Sequence, residues 1–241
     1  MSIVIDGHNH VGVRGIGGQT GQQLVGKMDL AGVDRAVVFT FPEGVMDNAG
    51  AMKIAKEYPD RFIPYCIVNP WNMKAACDEL TACLRDQGFK GLKLHPTVHG
   101  YHLCDFDLVD PLFEIAQEYG IPVLVHGAAD LYNPPSQFYI MARRFPKVPL
   151  VMAHSGYFWG TDQAIALAKD TPNLYLDVSR IPIFEIQCIV KEVGPQQIIW
   201  GTDSPFVDYE WEFRKMERAT DSREGYEMIV GANLAKLLKL S

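Results

Sequence analysis

Short apolar runs alternate with amphipathic stretches along almost the whole chain. The runs are rich in valine, isoleucine and leucine, and most are apolar at consecutive rather than alternate positions. Such continuous runs are typical of parallel strands that are covered on both faces. The pattern predicts eight strands, at residues 3–10, 35–41, 62–68, 91–95, 122–126, 149–154, 174–179 and 197–203.

The stretches between these strands have the spacing of amphipathic helices, and glycine or proline punctuates many of their ends. The predicted helices are 19–31, 45–58, 73–87, 108–119, 137–145, 161–169, 183–193, 210–218 and 224–240. Eight strand–helix alternations predict a (β/α)8 TIM barrel, and the 241 residues suit one such barrel of ~250 residues. An open doubly wound sheet would more often show a glycine-rich phosphate loop, which this sequence lacks. We therefore predict a single domain over residues 1–241.

Composition narrows the classes of partner. With 48% apolar and 21% charged residues the chain resembles an ordinary globular protein. The net charge of -7 argues against a nucleic-acid or anionic membrane partner, so we expect a small-molecule substrate. A secretory signal and a membrane-spanning run are not apparent, which predicts a cytoplasmic protein. The five cysteines form no C-x-x-C pair, and we interpret them as reduced packing residues.

The first strand ends in two histidines, His8 and His10, separated by one residue. Side chains two positions apart in a strand point to the same face, so both imidazoles can enter the same space. Imidazole is the commonest protein ligand of zinc and similar metals. Two of them at one strand end make half of a tetrahedral site.

Other polar residues also close apolar runs, and the active site of a TIM barrel is built at these carboxyl ends of the strands. They are His95, His126, His154, Asp177 with Ser179, and Asp203. A lone strand-end histidine is more often a hydrogen-bonded structural residue than a ligand. Five of the seven histidines converging on one rim are harder to explain in that way, and together they predict a divalent metal site.

The order of these motifs resembles the amidohydrolase superfamily, and especially its amidohydrolase-related branch with aminocarboxymuconate-semialdehyde decarboxylase-like proteins. The resemblance rests on H-x-H, His126, His154 in MAHSG and Asp203 in WGTDSPF. It implies that His8, His10, His126 and Asp203 hold one metal, with water completing the shell. It also implies that His154 polarises or transfers a proton beside that water, and Asp203 is placed to accept one.

Two residues of the fourth strand leave alternatives open. Lys93 lies on the same face as His95, and two-metal members of the superfamily use a carboxylated lysine on this strand as a bridge. Because Lys93 precedes the strand end, we favour an ion pair or hydrogen bond inside the barrel. His95 is the better candidate for contact with substrate.

Arginines in two strand-end loops suggest how a substrate is held. Arg14 follows the first strand and Arg180 the seventh, and a guanidinium group suits a substrate carboxylate. Either one could equally be a solvated loop charge.

We predict a metal-dependent hydrolase that attacks a small amide, lactone or ester through a metal-activated water, with a non-oxidative decarboxylase of an unsaturated or aromatic acid as the alternative. The short loops and the uncertain roles of the two arginines favour hydrolysis. A third hypothesis, a metal-binding barrel without catalysis, would predict a missing ligand, and none is missing.

The ligand set favours Zn²⁺ but accepts Mn²⁺, Fe²⁺ or Co²⁺. A homodimer is possible on base rates alone.

Overall fold

Eight parallel strands surround a common axis in the order of the sequence. The computed structural model describes residues 2–15 and 17–240, except for the side chain of Phe158. The strands are Ile5–Val11 (β1), Arg35–Thr40 (β2), Phe62–Ile67 (β3), Gly91–Leu94 (β4), Val123–His126 (β5), Leu150–Ala153 (β6), Leu174–Asp177 (β7) and Ile198–Ile199 (β8). The predicted (β/α)8 TIM barrel is confirmed.

Backbone hydrogen bonds between β1 and the residues that follow β8 close the ring. The regular ladder of β8 covers only Ile198–Ile199, yet the chain continues beside β1 for several more residues. Gly7 N–H donates to the Trp200 carbonyl over 2.9 Å, and Asp203 N–H donates to the His8 carbonyl over 2.8 Å. The last predicted strand therefore runs beside β1 even where it lacks a regular ladder.

Helices connect successive strands, and most of them overlap a predicted helix. The short helix Pro96–His99 is not among those predicted, and the predicted helix 73–87 ends in a π-helical turn at Cys83–Gln87. The helices are Gly21–Ala31 (α1), Asn48–Glu57 (α2), Lys74–Ala82 (α3), Pro96–His99 (α4), Phe106–Tyr119 (α5), Pro135–Arg144 (α6), Tyr157–Ala168 (α7), Ile183–Val193 (α8), Tyr209–Ala219 (α9), Arg223–Glu227 (α10) and Asn233–Leu237 (α11). None of the helices in the described ranges is long and apolar enough to span a bilayer.

The largest departure from the predicted helices is at the carboxyl end of the chain. The predicted helix 224–240 is divided into α10, a wider π-helical turn at Met228–Ala232, and α11. Gly231 lies in that turn, and a Cβ atom there would stand 1.8 Å from the Ile3 carbonyl oxygen. The backbone of this turn therefore packs directly on the segment before β1. A contact between the two ends of the chain is not visible in a local sequence pattern.

Two apolar clusters hold the fold together. The larger one joins the strands to the surrounding helices. The smaller one takes alternate residues from the strands, including Val37, Phe39, Ile63, Tyr65 and Val151, and Leu234 of α11 joins it. Alternation along parallel strands places these side chains inside the barrel. They fill the interior beneath the carboxyl ends of the strands, where the polar residues gather.

Asp6 links β1 to the segment after β8 from within the protein. Its side chain is completely buried. One carboxylate oxygen accepts hydrogen bonds from the backbone N–H groups of His8 and Thr202, both over 3.0 Å. The other oxygen accepts from the Thr202 hydroxyl over 2.6 Å. The carboxylate thus reinforces the closure of the barrel at the site of the paired histidines.

We expect Asp6→Ala to lower the free energy of unfolding by about 2–3 kcal/mol or more, because it leaves buried donors without an acceptor. Asp6→Asn should lose less, since its amide oxygen still accepts from both backbone groups. Denaturant unfolding of both variants tests this. Wild-type stability of Asp6→Ala would show that the linkage contributes nothing.

Candidate active site

A cavity of about 340 Å³ opens at the carboxyl ends of the strands. Asp177 and Ser179 do not line it, but the eight residues predicted to bind metal or substrate or to transfer a proton do. These residues come from six of the eight strand ends or the loops behind them: His8, His10, Arg14, His95, His126, His154, Arg180 and Asp203. The barrel thus brings together side chains that are separated by up to 195 positions along the chain (203 − 8 = 195). Their individual roles stay predictions.

Three of the four predicted metal ligands converge on one point. His8 Nε2 lies 3.2 Å and His10 Nε2 lies 3.1 Å from the same oxygen, Oδ1 of Asp203. All three side chains are buried. Two imidazole nitrogens and one carboxylate oxygen therefore face one another inside the protein.

The neutral state that burial favours for His8 leaves this ring a lone pair to offer to a cation. Burial lowers the pKa of His8 to about 4, so the ring is neutral at neutral pH and carries one N–H. Its Nδ1 faces the Asp177 carboxylate over 3.4 Å. When the proton is on Nδ1, the lone pair of Nε2 faces an oxygen of Asp203, and a metal ion between two such acceptors relieves their repulsion.

The fourth predicted ligand, His126, lines the same cavity but lies outside the close group formed by His8, His10 and Asp203. Its ring stacks on His95, with the two ring centroids 4.0 Å apart. Burial lowers the pKa of His126 well below its usual value, so this imidazole is neutral and has a lone pair to offer. His126 therefore has the protonation state of a ligand.

His154 is held by the loop that follows β7. Its Nδ1 lies 3.0 Å from the Ser179 hydroxyl oxygen, and its backbone N–H donates to Asp177 over 3.2 Å. Its ring stacks against His8 with centroids 5.0 Å apart. Burial lowers the pKa of His154, which keeps it neutral. The predicted proton-transfer residue thus lies directly beside a predicted metal ligand.

Three residues of the site have left-handed backbone conformations, although none is glycine. The φ angles are 60° at His154, 65° at Arg180 and 58° at Asp203. Such conformations cost about 1–3 kcal/mol each and persist where the surroundings hold them. In each case the backbone N–H donates a hydrogen bond. That of His154 donates to Asp177, that of Arg180 to Glu212, and that of Asp203 to the His8 carbonyl.

Lys93 points into the site from inside the barrel. Its Nζ lies 3.4 Å from His8 Nε2 and 4.9 Å from the centroid of the Phe39 ring. Burial lowers the pKa of Lys93 to about 8. The position agrees with the predicted hydrogen bond within the barrel, while a bridging role would require a second metal.

Both predicted substrate arginines are engaged by acidic residues at the mouth of the cavity. Arg14 lies 2.8 Å from Oε1 of Glu43, and Arg180 Nη1 donates to Oδ2 of Asp203 over 3.0 Å. Phe206 lies near both guanidinium groups, 5.0 Å from Arg14 and 5.5 Å from Arg180 at the ring centroid. Asp203 therefore presents one oxygen to the histidines and the other to Arg180.

Sequence reasoning missed two acidic residues that shape the site. Glu43 closely follows β2, and the rule of polar residues after an apolar run could have found it had the search gone past Pro42. Glu212 lies within α9, and no local signal marks it as a partner of the loop after β7.

We expect Asp203→Ala to lose metal and turnover while the barrel stays folded, because the change removes a ligand rather than core volume. Since loss of a group that merely supports a ligand costs roughly 10–100-fold in metal affinity, loss of the ligand should cost more. Elemental analysis and circular dichroism of the purified variant test this.

His126→Ala should likewise lose metal and turnover while staying folded. Asp208→Ala, an exposed residue of the same loop, is the matched control and should retain metal. Wild-type metal content in Asp203→Ala would refute the assignment.

Purified protein should contain about one metal equivalent per chain, removed by a chelator and restored by adding metal. About two equivalents would instead assign a bridging role to Lys93. No metal, and none regained, would contradict a metal site altogether.

A family described as amidohydrolase matches residues 19–240. No curated protein matches the sequence significantly.

Many solved structures share the fold, and three examples show how low the sequence identity is. A 2,6-dihydroxybenzoate decarboxylase from Rhizobium is 15% identical, with a TM-score of 0.76 and coverage of 100% of this chain and 99% of the other. A 5-carboxyvanillate decarboxylase from Novosphingobium aromaticivorans, complexed with manganese and 4-hydroxy-3-methoxy-5-nitrobenzoic acid, is 16% identical, with a TM-score of 0.76 and coverage of 99% and 96%. A probable 2-pyrone-4,6-dicarboxylic acid hydrolase from Acinetobacter baumannii, with citric acid bound, is 17% identical, with a TM-score of 0.74 and coverage of 98% and 99%.

Proposed function

Because the chain belongs to the amidohydrolase family, we propose that it is a metal-dependent enzyme that removes carbon dioxide from a small unsaturated or aromatic carboxylic acid. The observation that carries this proposal is the pairing of two kinds of group in one small cavity. A cluster of histidines with Asp203 lies beside the cationic side chains of Arg14, Arg180 and Lys93. The first suits a divalent metal and the second a carboxylate.

The size of the cavity supports a small substrate. Its volume of about 340 Å³ is at the lower end of the roughly 300–1,000 Å³ of ligand pockets. The rings of Phe41 and Phe206 line the same space and offer apolar surface to a planar substrate. An acid with a single ring fits both the volume and the lining.

In this proposal His8, His10 and Asp203 hold the metal, with His126 as the fourth ligand. A divalent ion in that position supplies a Lewis acid and lowers the pKa of bound water. Zinc remains our first expectation, and the manganese in the Novosphingobium relative supports manganese as a second.

The arginines would hold the substrate. A guanidinium group has five N–H donors, so Arg180 can keep its contact with Asp203 and still donate to a carboxylate. Arg14, which also lies near the Phe206 ring, would need to loosen its pair with Glu43 or share its donors. The two together favour an acid over a neutral substrate.

His154 would move the proton. Decarboxylation breaks the bond between the carboxyl carbon and its neighbour, and that neighbour must take up a proton. Because Ser179 holds Nδ1 of His154, Nε2 is the nitrogen left to take a proton from water and pass it to that carbon as carbon dioxide leaves. Burial alone would raise the pKa of Asp203, but its contacts with His8 and His10 hold it well below the usual range. Asp203 is thus better suited to bind a metal than to accept a proton.

The position of the arginines changes the preference between the two reactions. The sequence favours hydrolysis through its short loops and the open roles of Arg14 and Arg180, and in the structure both arginines line the cavity. Two of the three similar proteins described above are decarboxylases of aromatic acids, which also supports decarboxylation.

Hydrolysis of a lactone that carries a carboxylate is the second candidate. Lys93 favours hydrolysis, because its Nζ lies 3.4 Å from Nε2 of the predicted ligand His8. A lysine in this position that bridged to a second metal would suit attack by a hydroxide. The Acinetobacter protein, a probable 2-pyrone-4,6-dicarboxylic acid hydrolase, offers a parallel.

Isotope-labelled substrates separate the two reactions. We expect metal-loaded protein to release labelled carbon dioxide from carboxyl-¹³C 2,6-dihydroxybenzoate or 5-carboxyvanillate, and Asp203→Ala to release none. Incubation of 2-pyrone-4,6-dicarboxylate in H₂¹⁸O reveals hydrolysis as a ring-opened acid containing ¹⁸O. Mass spectrometry measures both products. Hydrolysis without carbon dioxide would select the second candidate, and neither product at full metal occupancy would contradict both.

A further inference from the structure

A buried acid–base pair on α9 contacts the loop that carries Arg180. Glu212 is 1% exposed and Lys215 is 20% exposed at the side chain, and their charged atoms are 2.7 Å apart. A spacing of three residues places both on the same face of the helix. Neither residue lines the cavity, so the chemistry proposed above does not use them.

This pair holds the backbone on both sides of the Arg180 side chain. Oε1 of Glu212 accepts a hydrogen bond from the Arg180 N–H over 3.1 Å. Lys215 Nζ donates to the carbonyl of Ile181, the next residue, over 2.9 Å. Arg180 has a φ of 65°, a conformation that a bulky residue adopts only when neighbouring groups fix it.

Stability alone does not account for a buried carboxylate at this position. Burial raises the pKa of Glu212 to about 7, and the charge of Lys215 opposes this rise. Buried ion pairs are often replaced by packed apolar side chains with no loss of stability. What an apolar side chain at 212 could not do is accept the hydrogen bond from the Arg180 backbone.

We propose that Glu212 and Lys215 are positioning residues that hold Arg180 at the mouth of the cavity. They thereby set the affinity of the cavity for carboxylate ligands. This inference rests on the proposed function, in which Arg180 binds the substrate carboxylate. The guanidinium already lies between Asp203 and the Phe206 ring, so a fixed backbone directs it to one place.

The same loop offers a competing explanation that the experiment must separate. Ser179, one residue earlier, contacts Nδ1 of His154. If the Glu212–Lys215 pair, which we call the clamp, merely ordered the loop, it would affect every ligand of the cavity. A clamp that acts through Arg180 should affect charged ligands alone. Benzoate and benzamide separate these cases, because they share one ring and differ in charge.

Calorimetric titration of metal-loaded protein with each compound makes the test. We expect Glu212→Leu to weaken benzoate binding roughly tenfold, the lower range for a hydrogen bond to a charged group, with benzamide binding and metal content unchanged. Glu212→Gln retains an acceptor and should recover most of the benzoate affinity. Glu210→Ala, an exposed acid of the same helix, is the matched control and should bind like wild type.

Further variants keep each outcome decisive. If Glu212→Leu does not fold, Lys215→Met should weaken benzoate in the same direction. Wild-type benzoate affinity in the variants, or an equal loss for benzoate and benzamide, would overturn the clamp.

Arg180→Ala tests the underlying proposal separately: if it weakens benzoate binding while Glu212→Leu does not, only the clamp is wrong. If wild type binds no benzoate, or Arg180→Ala binds it normally, the carboxylate site itself is refuted and the clamp with it.

Discussion

One backbone hydrogen bond brings the two ends of this chain into a common site. The Asp203 N–H donates to the His8 carbonyl over 2.8 Å, at the seam where the last strand meets the first. The same pairing sets the Asp203 carboxylate against the imidazoles of His8 and His10. Closure of the barrel and assembly of the cluster thus depend on contacts at the same seam. An open sheet of the same eight strands would leave these groups on opposite edges, with nothing to bring them together.

Much of this was visible in the sequence, because two simple regularities govern it. Continuous apolar runs with helical spacing between them determine a parallel barrel, and its strand ends must share one rim. His126, His154 and Asp203 could therefore be placed near the paired histidines without any knowledge of distances. The resemblance to amidohydrolases then suggested a role for each, which the arrangement of the cavity suits and which experiment must decide.

What escaped the sequence depends on contacts between distant segments. Nothing local distinguishes Glu212 from the other acids of α9, since its importance comes from a neighbouring loop. The division of the last helix at Gly231 likewise reflects its approach to Ile3, at the far end of the chain. The sharing of Asp203 between histidines and Arg180 required the orientation of a carboxylate, which strand position does not supply.

The left-handed residues around the cavity have a consequence for how this protein can change. Glycine at His154, Arg180 or Asp203 would relax the backbone but delete the side chain that the site uses. Thermal tolerance and catalytic competence therefore make opposite demands on the same three positions. A lineage or a designer seeking a hardier enzyme gains more by altering the amino-end face of the barrel, which lies away from the proposed site. The catalytic rim and the supporting base can in this way diverge almost independently.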